Sequence, residues 1–201
     1  MTSLPQPASF FPSLTSDRLQ AVSSWLLEEL YATELDLSRS TDNGYTRGCT
    51  AFGRQRARVV AEAMSGGHSW LGIASGDNAI VFTIGGVPCR FSNDDPSSPT
   101  KDAVLLANRY QMAFLEFADP GEPGRFCFII DRGQFGSTEA RVEFVGFSAS
   151  DNVVCRWVSD AVRVLRVEGD NGQVAAVPVG KPPVTPKRRP DEDDAALEAV
   201  R

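Results

Sequence analysis

A chain of 201 residues, 42% hydrophobic and 23% charged, is sized for one substantial core rather than two. Its formal charge of -6 and pI near 4.9 exclude a general nucleic-acid coat and leave room only for a local site. No apolar run approaches the ~20 residues that a membrane-crossing helix needs, so no membrane association is expected.

Residues 1–15 read as an extended N-terminal arm that docks through Phe10, Phe11 and Leu14. The arm lacks a basic start and carries Pro5, Pro7 and Pro12, so it does not read as a secretion signal. Ser16 or Asp17 caps a first helix running to about Tyr31, with Leu19, Val22, Leu26 and Leu30 on one stripe. That helix is acidic, with Glu28, Glu29, Glu34 and Asp36 toward its end.

A polar loop with an Asn43-Gly44 turn follows. Thr50 then caps a second helix to about Met64, closed by Gly66-Gly67. Phe52, Val59 and Ala63 share its inner face, and Arg56 falls among them, where it must snorkel or find a buried partner. Between Arg39 and Arg58 stand five arginines (Arg39, Arg47, Arg54, Arg56 and Arg58) against one acid, Asp42. Lysine is scarce throughout, so each arginine weighs less as a functional signal.

Strand patterning takes over at Trp70–Ala74 and Ala79–Ile84, around the hairpin turn Ser75-Gly76-Asp77-Asn78. Val87–Ser92 is a third strand, and Pro88 suggests an edge or a strand start. A third helix spans about Thr100 to Phe117 with Ala103, Leu106, Tyr110, Ala113, Phe114 and Phe117 inward. Arg109 and Glu116 lie on another face of it.

Further strands are expected at Arg125–Asp131, Ala140–Ser148, Val153–Val158, Ala161–Glu168 and Gln173–Val177. Residues 16–177 thus form one α+β domain: a mainly antiparallel sheet of about six to eight strands with three helices packed on it. Residues 178–201, rich in proline and charge, read as a disordered tail.

The candidate chemistry is sparse. Arg47, Arg54 and Arg58 could hold phosphate oxygens of a nucleic acid, or could pair with the acids of the first helix. His68, the lone histidine, is a candidate general base beside those arginines, with Tyr45 or Asp77 as its partner, or an ordinary turn residue. Arg109, Tyr110 and Trp157 could line a small-molecule pocket between the sheet and the third helix. Asp94, Asp95, Asp131 and Glu143 are the acids a metal-dependent nuclease would need to converge, but no acid is followed at two residues by lysine on a strand, and Asp94-Asp95-Pro96 is ordinary turn chemistry.

Cys49, Cys89, Cys127 and Cys155 form no close pair of the zinc type, and the last three sit in apolar runs as buried thiols do. Reduced cysteines place the chain in the cytoplasm, with no metal and no cofactor expected. P-loop, dinucleotide and hydrolase motifs are absent. The expectation is a bacterial, non-enzymatic binding or regulatory protein with a protein partner, of the conflict or prophage accessory kind. The alternatives are a metal-independent nuclease or nucleic-acid binder, and a small-molecule sensor.

Overall fold

A computed structural model describes residues 4–116, 119, 121–132 and 139–160. The arm enters through a single 3-10 turn, Pro7–Ser9, and leads to helix α1 (Ser16–Asp36). Helix α2 (Gly44–Met64) runs back along it. Strands β1 (Leu71–Ser75), β2 (Val81–Ile84) and β3 (Val87–Asn93) follow. Two short helices, α3 (Asp102–Leu105) and α4 (Arg109–Leu115), lead to β4 (Arg125–Asp131), β5 (Arg141–Phe147) and β6 (Val153–Val158).

The α+β class stands, and the sheet corrects the finer expectation. It has six strands among the described residues, in the order β1-β2-β3-β4-β5-β6, and it is mixed. β3 and β4 run parallel, with Cys89 opposite Phe126 and Asn93 opposite Ile130, while the other pairs are antiparallel. A parallel pair needs a crossover rather than a tight turn, and the segment carrying α3 and α4 supplies it. The strands expected at Ala161–Glu168 and Gln173–Val177, and the tail 178–201, lie outside the described residues.

β3 is interior, not an edge. All seven of its residues are buried, and Pro88 sits opposite Thr83 within the β2–β3 hairpin. Gly85 and Gly86 turn that hairpin with φ of 58° and 88°, a pair of left-handed positions that glycine occupies without strain. Gly85 also lies against Ser13, so a side chain there would collide with the arm.

The helix limits move for local reasons. Thr15 caps α1 by accepting from the Arg18 N–H, and the helix continues past Tyr31 to Asp36. Asn43 caps α2 by accepting from the Thr46 N–H at 2.9 Å, so what reads as a turn is a helix start, well before Thr50. The single third helix is two. Asn108 accepts from the N–H groups of both Tyr110 and Gln111 at 3.0 Å, beginning α4 afresh. As a result Leu106 and Ala113 are exposed rather than inward.

The main core lies between the sheet and the α1–α2 hairpin. Leu19, Val22, Leu26 and Leu30 meet Phe82, Phe91, Phe126, Phe128 and Phe144, all buried. Phe128 and Phe144 pack ring to ring at 4.5 Å across β4 and β5, as cross-strand aromatic pairs do. The arm closes one end of this layer: Phe11 packs on Phe114 at 5.3 Å and on Phe126 at 5.5 Å, and Leu14 is buried. Pro5 O accepts from the Arg156 N–H, so the arm runs beside β6.

One polar bridge crosses the core. The Gln55 side chain on α2 donates to Asn93 Oδ1 at 3.3 Å and to Leu26 O at 2.9 Å. Asn93 Nδ2 returns a bond to Gln55 Oε1 at 2.7 Å. α1, α2 and β3 are therefore tied at one point by satisfied buried amides. On the opposite face of the sheet a smaller cluster, Val104, Cys127, Ile129, Val145 and Phe147, sits beneath α3.

Candidate functional site

The arginine island is built by the antiparallel α1–α2 hairpin, which lays the acidic end of α1 along α2. Arg54 Nη1 lies 2.7 Å from Asp36 Oδ2. Arg58 stands among three acids: Glu62 at 2.8 Å, Glu28 at 3.5 Å and Glu29 at 3.9 Å. Arg47 donates from Nε to Leu37 O at 3.0 Å, closing the hairpin loop. Arg56 reaches the carbonyls of Gly76 and Asp77 in the β1–β2 turn, which is the snorkelling geometry. Each of these guanidinium groups has an internal partner, and the surface pairs contribute about 0–1 kcal/mol each.

His68 lies beyond the C-terminal end of α2. Its Nε2 is 3.4 Å from Glu62 Oε2, so it shares with Arg58 the same carboxylate. Its ring packs against Trp25 at 5.0 Å and Trp70 at 5.2 Å, and the two indoles are parallel at 6.2 Å. Arg18 adds its guanidinium over Trp70 at 5.6 Å. The three rings therefore pack on one another as an aromatic cluster at the edge of the core. Arg47 and Tyr45 stand at the other end of α2, roughly 25 Å along the helix axis. Asp77 caps its own turn by accepting from Ser75 Oγ at 2.9 Å. The structure thus brings His68 to Arg58 and Glu62, and not to Arg47, Tyr45 or Asp77.

Arg109 and Tyr110 begin α4. Arg109 Nη2 donates to Tyr110 Oη at 2.9 Å, and the guanidinium stacks over the Tyr110 ring at 4.8 Å. Trp157 is on β6, packed against the main core. Among the described residues no hydrogen bond or ring contact joins Trp157 to the other two.

The acids are structural in geometry. Asp94 accepts from the N–H groups of Thr100 and Lys101 at 2.9 Å and organises the loop after β3. Asp131 lies 3.3 Å from Arg141. Glu143, 2% exposed, lies beneath two half-exposed arginines, Arg156 at 2.5 Å and Arg141 at 3.4 Å. Among the described residues no three His, Cys, Asp or Glu side chains converge as metal ligands.

Sequence reasoning missed the charges on the second sheet face. Arg125, 3% exposed, donates to Val104 O and to Asp151 Oδ1 at 2.7 Å, and lies over the Phe147 ring at 4.1 Å. Arg90 donates to Leu106 O at 3.1 Å, and burial pulls its pKa below the ordinary arginine value. Between them Cys127 is pushed up to about 12 by burial. Both arginines sit in strand runs, where alternation alone does not reveal that a short crossover helix will supply carbonyl acceptors. Among the described residues four side chains retain a buried polar atom without a hydrogen-bond partner, Ser23, Gln111, Arg132 and Glu143, and the Glu143 oxygen still faces Arg141 at 3.4 Å.

Comparison of the chain with protein-family models, with curated proteins and with solved structures gives no match. No described helix is long and apolar enough to cross a membrane.

Proposed function

We propose that this chain is a non-enzymatic binding protein that acts through a protein partner. The observation that carries this reading is a contrast between two surfaces. Along α1 and α2 the arginines that would hold phosphate are engaged by Asp36, Glu28, Glu29, Glu62 and Leu37 O. Along the crossover, Leu105, Leu106 and Met112 are 44%, 57% and 56% exposed. Exposed apolar area of this kind, where contiguous, marks docking surfaces.

The four cysteines are unpaired, which suits a reducing cytoplasm. The proposal extends to a regulatory role in a bacterial setting of conflict or prophage accessory functions, which a small chain of this class would fit. The internal pairing of Arg54 and Arg58 weighs against the nucleic-acid alternative.

A photo-crosslinking amino acid at Leu106, with Asp42 in the α1–α2 loop as the control position, tests the reading. Discrete protein adducts from Leu106, absent from Asp42 and lost on Leu105→Asp, are expected. Adducts to nucleic acid, or none from the crossover, would overturn it.

A further inference from the structure

The outward side of α4 is ordered in a way that specifies its occupant. Arg109, Met112, Ala113 and Glu116 are all exposed. At ~100° per residue they fall within about 100° of arc, opposite Gln111, Phe114 and Leu115, which face the body of the protein. Arg109 is engaged only by its neighbour Tyr110 and meets no acid among the described residues. Glu116 continues the helical backbone as the C-cap, with φ -61° and ψ -22°, and meets no base among them. These two stand apart from Arg54 and Arg58 of α2, which are matched by acids of α1.

We propose that this stripe docks on the same stripe of a second copy of the chain, across a twofold axis between Met112 and Ala113. The proposal rests on the crossover being the docking face, and it names what covers that face. From Arg109 to Glu116 the helix advances ~10.5 Å. Turning a copy antiparallel about the midpoint brings Arg109 level with Glu116 of the second copy, and the reverse. The same operation returns each flank of the stripe to its own kind, so Met112 meets Met112 of the second copy in an apolar contact. The stripe is complementary to itself in charge, as an isologous contact requires. An unrelated partner would have to supply an acid and a base at that same spacing; a second copy supplies them by symmetry. Leu105 and Leu106 precede the helix and widen the apolar area.

Sedimentation velocity of the full chain over a concentration series tests this. A small contact of this kind predicts a reversible dimer with a Kd on the order of 10–100 µM. Arg109→Glu alone, or Glu116→Arg alone, turns two symmetric attractions into two repulsions and raises Kd roughly tenfold. The exchange Arg109→Glu with Glu116→Arg restores the pairing and returns Kd to within about threefold of the parent. Circular dichroism confirms that each variant is folded, and Met112→Asp provides an independent disruption. A parent chain that stays monomeric well above this range overturns self-docking, as does a dimer indifferent to the single reversals or not rescued by the exchange. A monomer that still forms protein adducts through Leu106 overturns self-docking alone. A dimer without other adducts supports self-docking and overturns only the search for a different partner.

Discussion

Removing the Gln55 side-chain amide should destabilise the fold through the partner it leaves behind. Gln55 is fully buried and Asn93 nearly so, and they exchange bonds at 2.7 and 3.3 Å. Gln55→Leu fills similar volume but strands both ends of the Asn93 amide. Leu26 O, the third partner, lies within α1, so its loss adds little. An orphaned buried polar group costs about 1–3 kcal/mol, so the single variant should lose roughly 2–4 kcal/mol. Asn93→Leu should lose a similar amount, because it strands Gln55 Oε1. The double variant replaces both partners by apolar groups and should recover much of the loss, giving a coupling of about 1.5–3 kcal/mol in a double-mutant cycle. Urea unfolding with an unchanged m-value is the assay. Single losses below ~1 kcal/mol that simply add in the double variant would refute the bridge.

Arg58→Ala should cost no more than about 1 kcal/mol in the same assay, because its pairs with Glu28, Glu29 and Glu62 are partly exposed and screened. Glu143 behaves asymmetrically: Glu143→Leu should be nearly neutral, since Arg141 and Arg156 can turn to water, whereas Arg156→Ala leaves the buried carboxylate with Arg141 alone and costs about 1–3 kcal/mol by thermal unfolding. Thiol labelling at pH 8 should modify exposed Cys49 first, with Cys89, Cys127 and Cys155 reacting only on unfolding. Burial raises those three thiols, to about 12 for Cys127 and about 11 for Cys155. The native state therefore holds their protons longer than the unfolded chain, so their contribution is intact below pH 9 and is lost as pH rises from 9 through those values. A flat stability profile between pH 9 and 11 would contradict it.

What the sequence made legible was what local periodicity encodes. The stripe Leu19, Val22, Leu26 and Leu30 is the buried face of α1, and all three strand cysteines are buried. The β1–β2 hairpin follows its Ser75-Gly76-Asp77-Asn78 turn. The parallel β3–β4 pair was not legible, because register between distant strands leaves no local mark. Pro88 suggested an edge or a strand start, and the second holds: it is the second residue of β3, ahead of Cys89, where pairing with β4 begins. The crossover was read as one helix because Leu106, Tyr110 and Ala113 keep helical spacing; Asn108 ends that continuity by capping. Arg109 and Glu116 were visibly on another face, and their use depended on where α4 came to lie.

The measurement that bears most directly on the account is fluorescence anisotropy with labelled single- and double-stranded RNA and DNA across a salt series, on the parent chain and on Arg54→Ala/Arg58→Ala. With Arg54 and Arg58 held by the acids of α1, and Arg47 and Arg56 by backbone carbonyls, no saturable binding is predicted even at low salt. Binding that falls steeply with salt and weakens in the double variant would make the arginine island a phosphate site and contradict the account.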